Sequence, residues 1–223
     1  MTNKIIFLTF FISFFSSTAV NADMFVNLLD MPQKGKTKGG AGMLISSEIE
    51  MERKDNVDVY DAERQSFVVS AMHGMSNNTG VFGGFSYITD GEWNDDLEGN
   101  TYFGGAYGEV DLIQGTKVVA YGQYKSFDEE YNGKLDVSGS EISVGFLGVF
   151  NLDSGTNFYI GPNYVFSSKI DVEKYSKDYE RKKKFGVRLG FNHPMSGKNM
   201  NFYGTAGFMN EQSFFLGVSR DFN

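Results

Sequence analysis

Two histidines, no cysteine and a surplus of carboxylates bound the chemistry open to this chain. Hydrolysis needs a base within hydrogen-bond reach of the group it activates. Asp95-Asp96, after Trp93 and Asn94, is a concentrated carboxylate pair. His73 and His193 both fall where apolar-polar segments run into short turns, while the pair lies in a long acidic connection, so no base faces it. Asp95 and Asp96 then read as a solvated loop tip, and no enzyme is expected. Asn94, Asp95, Asp96, Glu98 and Asn100 offer oxygen ligands, but not in the spacing of a defined calcium loop. The Gly-Gly pairs at 39–40, 83–84 and 104–105 lack the Lys-Ser/Thr of a phosphate loop. No metal or cofactor is expected. In the run Glu180-Arg181-Lys182-Lys183-Lys184, the cations Arg181, Lys182 and Lys183 suit phosphate contact.

A more extensive charged set is spread through the chain. Glu48, Glu50, Glu109, Asp111, Lys117, Lys125, Glu141, Lys184 and Arg188 each alternate with apolar residues. Alternation of period two places them on one face of β-strands. If that face is enclosed, carboxylates and cations must pair or hold water, because unpaired buried charge is costly. The expected result is a polar filling that ties strands together; the functional alternative is a narrow ion path.

The elements that must position these groups are clearest in the hairpin Thr101 to Lys125. Val110, Leu112, Val118, Ala120 and Tyr124 share one parity; Glu109, Asp111, Lys117, Gln123 and Lys125 share the other. A three-residue loop, Ile113-Gln114-Gly115, keeps the two faces apart by pairing Asp111 with Lys117 and Val110 with Val118. Each arm is about 10 residues, enough for a tilted strand to cross a bilayer. The same pattern gives strands near 42–53, 66–75, 79–89, 140–151, 157–168, 184–193, 200–208 and 214–222, ten in all. Pro162 removes a ladder donor, so a bulge or weak pairing is expected there. Four connections are long and charged (54–65, 90–100, 127–139 and 169–183), and they alternate with short ones.

Ten strands with alternating long and short links predict an antiparallel transmembrane β-barrel. Eight or twelve strands are the neighbouring counts, and a soluble β-sandwich is the competing architecture. Residues 1–22 carry Lys4, an apolar stretch too short to span a bilayer, and Val20-Asn21-Ala22, the pattern of a cleaved secretory leader. Residues 23–40 read as a flexible periplasmic arm and 41–223 as the barrel. Removing the leader takes the formal charge from −8 to −9, which argues against nucleic acid. The 27 glycines fit strands that approach closely and curve, and 22 Phe with 12 Tyr fit interfacial girdles.

The chain ends in FFLGVSRDFN, an alternating segment with a penultimate Phe222. With the strand and loop pattern it resembles the small outer-membrane β-barrel proteins of Gram-negative bacteria, the broad opacity-type group. Arg220 at an outward position and Asn223 after the aromatic depart from that group's ending. The resemblance implies outer-membrane location, contact with membrane lipid and lipopolysaccharide, and delivery by the outer-membrane assembly machinery. It also implies a non-enzymatic surface role in structure or adhesion, with an extracellular ligand that the residues do not name. A porin-like channel for small solutes is the alternative. Asp95-Asp96 is superficially similar to the aspartate pair of omptin proteases, and a lipid A hydrolase is the related third reading. Both lack a histidine at the outer rim.

Overall fold

The computed structural model describes residues 26–47, 51–53, 64–91, 97–112, 116–131, 135–152, 155–172, 177–196, 199–209 and 212–222. They form β1 (Thr37–Ser47), β2 (Met51–Arg53), β3 (Arg64–Gly74), β4 (Thr79–Gly91), β5 (Leu97–Asp111), β6 (Thr116–Tyr131), β7 (Leu135–Asn151), β8 (Asn157–Val172), β9 (Lys177–Arg181), β10 (Phe185–Pro194), β11 (Met200–Phe208) and β12 (Gln212–Phe222). Every strand pairing is antiparallel. Consecutive strands are neighbours from β3 to β8, then β8 pairs β10, and β12 returns to β1. Ten strands therefore close into a barrel with no free edge in the ring. The short strands β9 and β2 continue the sheet beyond β8 at one end.

The hairpin register is the one that keeps the faces apart: Val110 lies opposite Val118 and Asp111 opposite Lys117. Tyr102, Val110 and Tyr124 face outward and are exposed, while Phe103, Tyr107, Val119 and Tyr121 face inward and are buried. Met43, Phe67, Val81, Phe146, Ile160 and Phe185 continue the exposed apolar belt around the ring. Such a belt far exceeds the apolar patches that water tolerates on a soluble protein. It is the surface of a strand structure solvated by hydrocarbon, where a closed ladder satisfies every backbone polar group. The sandwich is thereby set aside.

Three features depart from the sequence reading. First, β1 begins at Thr37, and residues 51–53 form a separate strand, so the first strand is not one segment over 42–53. The arm expected over 23–40 therefore gives its end to β1. Its described part turns into the barrel, with Val26 and Leu28 buried in the interior cluster. Second, the connection expected over 127–139 is mostly strand, since only residues 132–134 separate β6 from β7. β5, β6, β7 and β8 reach 15, 16, 17 and 16 residues, against 10 and 9 for β10 and β11. One side of the barrel thus rises as a wall at the end of the long connections. Third, β8 carries its irregularity in two places. The β7–β8 ladder skips from Gly145–Asn163 to Gly148–Ile160, which leaves Pro162 outside it, as its missing donor demands. A bulge then passes from Ser143–Val165 to Ile142–Ser167. The extra residue flips the inward parity from Tyr159, Asn163 and Val165 to Ser168 and Ile170.

The interior is mixed: beside buried polar and charged side chains such as Gln123, Lys125, Glu141, Asn163 and Arg188 stands an apolar and aromatic cluster that includes Val68, Phe82, Phe103, Tyr121, Leu147, Tyr159, Tyr203 and Phe215. Glycines make this possible. Tyr121 lies over inward Gly145, Phe103 over Gly84, Tyr159 over Gly190 and Phe215 over Gly42. A β-carbon at any of these positions would overlap the ring above it. An aromatic ring from one strand therefore fills the space that a side chain on the next would take. Much of the glycine and aromatic content serves the lumen, beyond curvature and girdles.

Candidate functional site

The charged groups of the interior gather at the wall end, above the aromatic layer. Odd positions of β6 point inward, and this carries Lys125, Phe127 and Glu129 into the lumen one after another. β7 supplies Glu141, β3 supplies Arg64, and β9 curls over to bring in Arg181, only 1% exposed. Glu141 is the hub. Lys125 Nζ lies 2.9 Å from its Oε2, Arg181 donates from Nε to Oε1 at 2.7 Å and from a terminal nitrogen to Oε2 at 2.8 Å, and Ser168 Oγ donates to Oε1 at 3.1 Å. Arg64 meets Glu129 at 2.7 Å, and the Lys125 ammonium stands 5.7 Å from the Phe127 ring centre. Arg64, Lys125, Glu129, Glu141 and Arg181 with Phe127 and Ile170 enclose about 20 Å³, close to the space one water needs. The bidentate guanidinium–carboxylate geometry is what a buried charge requires to persist.

The expected charged set is thus partly assembled. Lys125 and Glu141 belong to the network. Arg188 is buried farther down, its guanidinium 5.9 Å from the Tyr121 ring centre. Glu109 and Lys117 pair at 3.2 Å near the short-turn end. Asp111 points inward by parity but lies at the strand end, 72% exposed, so solvent and not the lumen solvates it. Lys184 precedes β10 and reaches Glu180 on β9 at 3.1 Å, outside the interior network. Glu48 and Glu50 lie outside the described residues, as do Asp95 and Asp96. Arg181, expected with Lys182 and Lys183 as an outward phosphate contact, is instead sealed inside by Glu141; Lys182 and Lys183 are exposed. Sequence reading missed Arg64 and Glu129 because both fell in segments taken as loops. The available signal was the odd parity of β6, which continues unbroken from Lys117 to Glu129.

The outward face of the wall is different again. Glu98 lies opposite Glu130, and Glu130 opposite Asp136. Like charges directly opposite are repulsive, and here exposure to solvent offsets the cost. Two open grooves of about 600 Å³ each lie at the wall. One is lined by Tyr124, Ser140, Lys169 and Asp171, the other by Tyr87, Glu98, Asp128 and Asp136.

The two histidines sit at the opposite end. His73 shares a hydrogen bond with Thr37 at 3.0 Å and His193 one with Thr156 at 2.9 Å, both exposed. The length of the strands separates them from Gly91 and Leu97, the ends of β4 and β5 that flank the undescribed residues 92–96. Among the described residues no group of three or more His, Asp or Glu side chains is arranged to hold a metal.

No family model matches the chain, and no curated protein matches it in sequence. Solved structures share its shape. An outer-membrane channel from Pseudomonas putida F1 superposes with a TM-score of 0.54 at 11% identity, over 90% of this chain and 100% of that one. The translocator domain of the autotransporter NalP from Neisseria meningitidis gives 0.50 at 14% identity, over 87% and 91%. The fold is a closed ten-stranded antiparallel β-barrel of the outer-membrane type. At such identities the likeness extends to the fold, and no sequence match ties the chain to the opacity-type group in particular.

Proposed function

We propose that this chain is a closed, non-conducting barrel of the Gram-negative outer membrane that works through its outer surface, as a structural or adhesive component and not as an enzyme. The carrying observation is the packed interior. Val68, Leu147 and Phe215 are 0% exposed, and Val119 and Tyr203 only 1–2%. Side chains along a water-filled path would retain accessible surface, as they do in wide barrels. Above them stands the Glu141 network, whose ion pairs support the reading of a closed mouth. In this reading the wall faces the exterior and the short turns face the periplasm. The acidic outward face of β5–β7 would meet partners, and exposed Lys182 and Lys183 would meet lipopolysaccharide phosphates. A cleaved leader over residues 1–22 and delivery by the outer-membrane assembly machinery complete the proposal.

Planar-bilayer recording with folded protein tests it. The expected trace is flat at the level of membrane leak. Reproducible conductance steps would reject the closed barrel and favour the porin-like alternative.

A further inference from the structure

The first described residues of the chain contact its last strands. Asn27 donates from Nδ2 to Asn192 Oδ1 on β10 at 2.7 Å and to Ser219 Oγ on β12 at 3.1 Å. Asp30 accepts from Asn201 on β11 and pairs with Lys38 on β1, which also lies 3.2 Å from Asp221 on β12. Between these polar contacts Val26 and Leu28 enter the interior cluster, 2% and 1% exposed. Lys38 itself is 4% exposed, so its charge depends on the two carboxylates that reach it.

This seat has a topological property. It is composed of β10, β11, β12 and β1, and β12 and β1 are the two strands whose pairing closes the ring, from Thr37–Phe222 to Ser47–Gln212. Asn192 and Ser219 come within reach of one side chain only when β11 lies between their strands. Asp30 finds both Lys38 and Asn201 only when β1 has joined β12. The contacts span 165 and 192 residues of sequence, so no local structure forms them earlier.

We propose that residues 26–30 are a closure latch: an intramolecular ligand whose binding site is complete only in the closed ring, and whose seating locks the β1–β12 seam. Short apolar side chains fill the site, while the Asn27 amide and the Asp30 carboxylate read its polar rim. The latch goes beyond surface function and stands whether or not the barrel conducts.

The chain has no cysteine, so an engineered pair is unambiguous. The full-length protein with Asn27→Cys and Ser219→Cys is refolded from urea into detergent micelles under mild oxidation. The fast-migrating band of unheated folded barrel and the disulfide are followed together. The disulfide is expected to appear with or after that band, to be absent in urea, and to raise the temperature at which the band is lost. A disulfide that forms equally well in urea, precedes the folded band, or never forms in folded protein overturns the latch. Should the double variant fail to fold, Asp30→Ala decides: the latch requires its band-shift temperature to fall below wild type, and an unchanged temperature rejects it.

Discussion

Glu141 shows how one carboxylate can hold several strands. Its two oxygens take Lys125 from β6, Ser168 from β8 and Arg181 from β9, so four strands meet at a single side chain. Removing one partner of a buried pair leaves the other charges uncompensated, at a cost of about 3–5 kcal/mol. Glu141→Ala is therefore expected to lower the temperature of the folded-to-unfolded band shift markedly. Glu98→Ala on the outward wall should leave it nearly unchanged, because exposed charges contribute about 0–1 kcal/mol. Equal effects of the two changes would mean that the network does not hold the mouth. The same residue explains the burial of Arg181. A guanidinium 1% exposed cannot serve a phosphate outside, and the cations 181–183 divide between one interior partner and an exposed pair. Loss of lipopolysaccharide binding is accordingly expected for Lys182→Glu with Lys183→Glu, measured as retention on immobilised lipopolysaccharide. Full retention would remove that role.

At the level of the strand, glycines of opposite parity have opposite tolerances. Gly145 faces inward beneath Tyr121, and Gly122 faces outward, where an added β-carbon would come no nearer than 4.0 Å to Val144. Gly145→Val should block the folded band, since the ring above has no space to yield in a close-packed interior. Gly122→Val adds apolar surface toward hydrocarbon and should fold normally, with refolding yield as the measurement. If both fold alike, the aromatic-over-glycine packing is not what fills the lumen. Strand length follows the same parity logic. Phe127, Glu129 and Val137 are buried inside the wall, while Asp128, Glu130 and Asp136 face out. The dense charge of 127–139 reads as loop because its outward half is solvated and its inward half contains Glu129. The pairing Tyr131–Leu135 shows that the hairpin runs almost to its tip.

For the whole molecule, two ends of unlike character define an orientation. The wall end carries the acidic outward face and the Glu141 network, and the other end carries tight turns and both histidines. In intact cells a membrane-impermeant maleimide should label Lys182→Cys and leave Met75→Cys unlabelled, with both labelled after lysis. Met75 is 62% exposed at the short turn between β3 and β4, so access and not burial decides the result. The reverse pattern would invert the barrel. Labelling of both sites before lysis would argue against a sealed outer-membrane location.

The alternation of side chains was sufficient by itself to place most of the strands and the face they turn to lipid, because period two is a local property; it left eight and twelve strands open and could not foresee the β8 bulge that reverses the inward face. Gln114-Gly115 and the parity of its flanks likewise determined the 110–118 and 111–117 pairings without reference to the rest of the chain. Tertiary structure decided what meets across the lumen. Arg188 reaches the Tyr121 ring, Arg181 finds Glu141 and Asn27 finds Asn192 only when strands that are not neighbours in the sequence have been brought around a common axis. Closure also turned an expected flexible arm into interior packing, since Val26 and Leu28 gain a place to bury only inside the finished ring. Contacts of that kind depend on curvature and on which strands become neighbours, and no short stretch of residues encodes either.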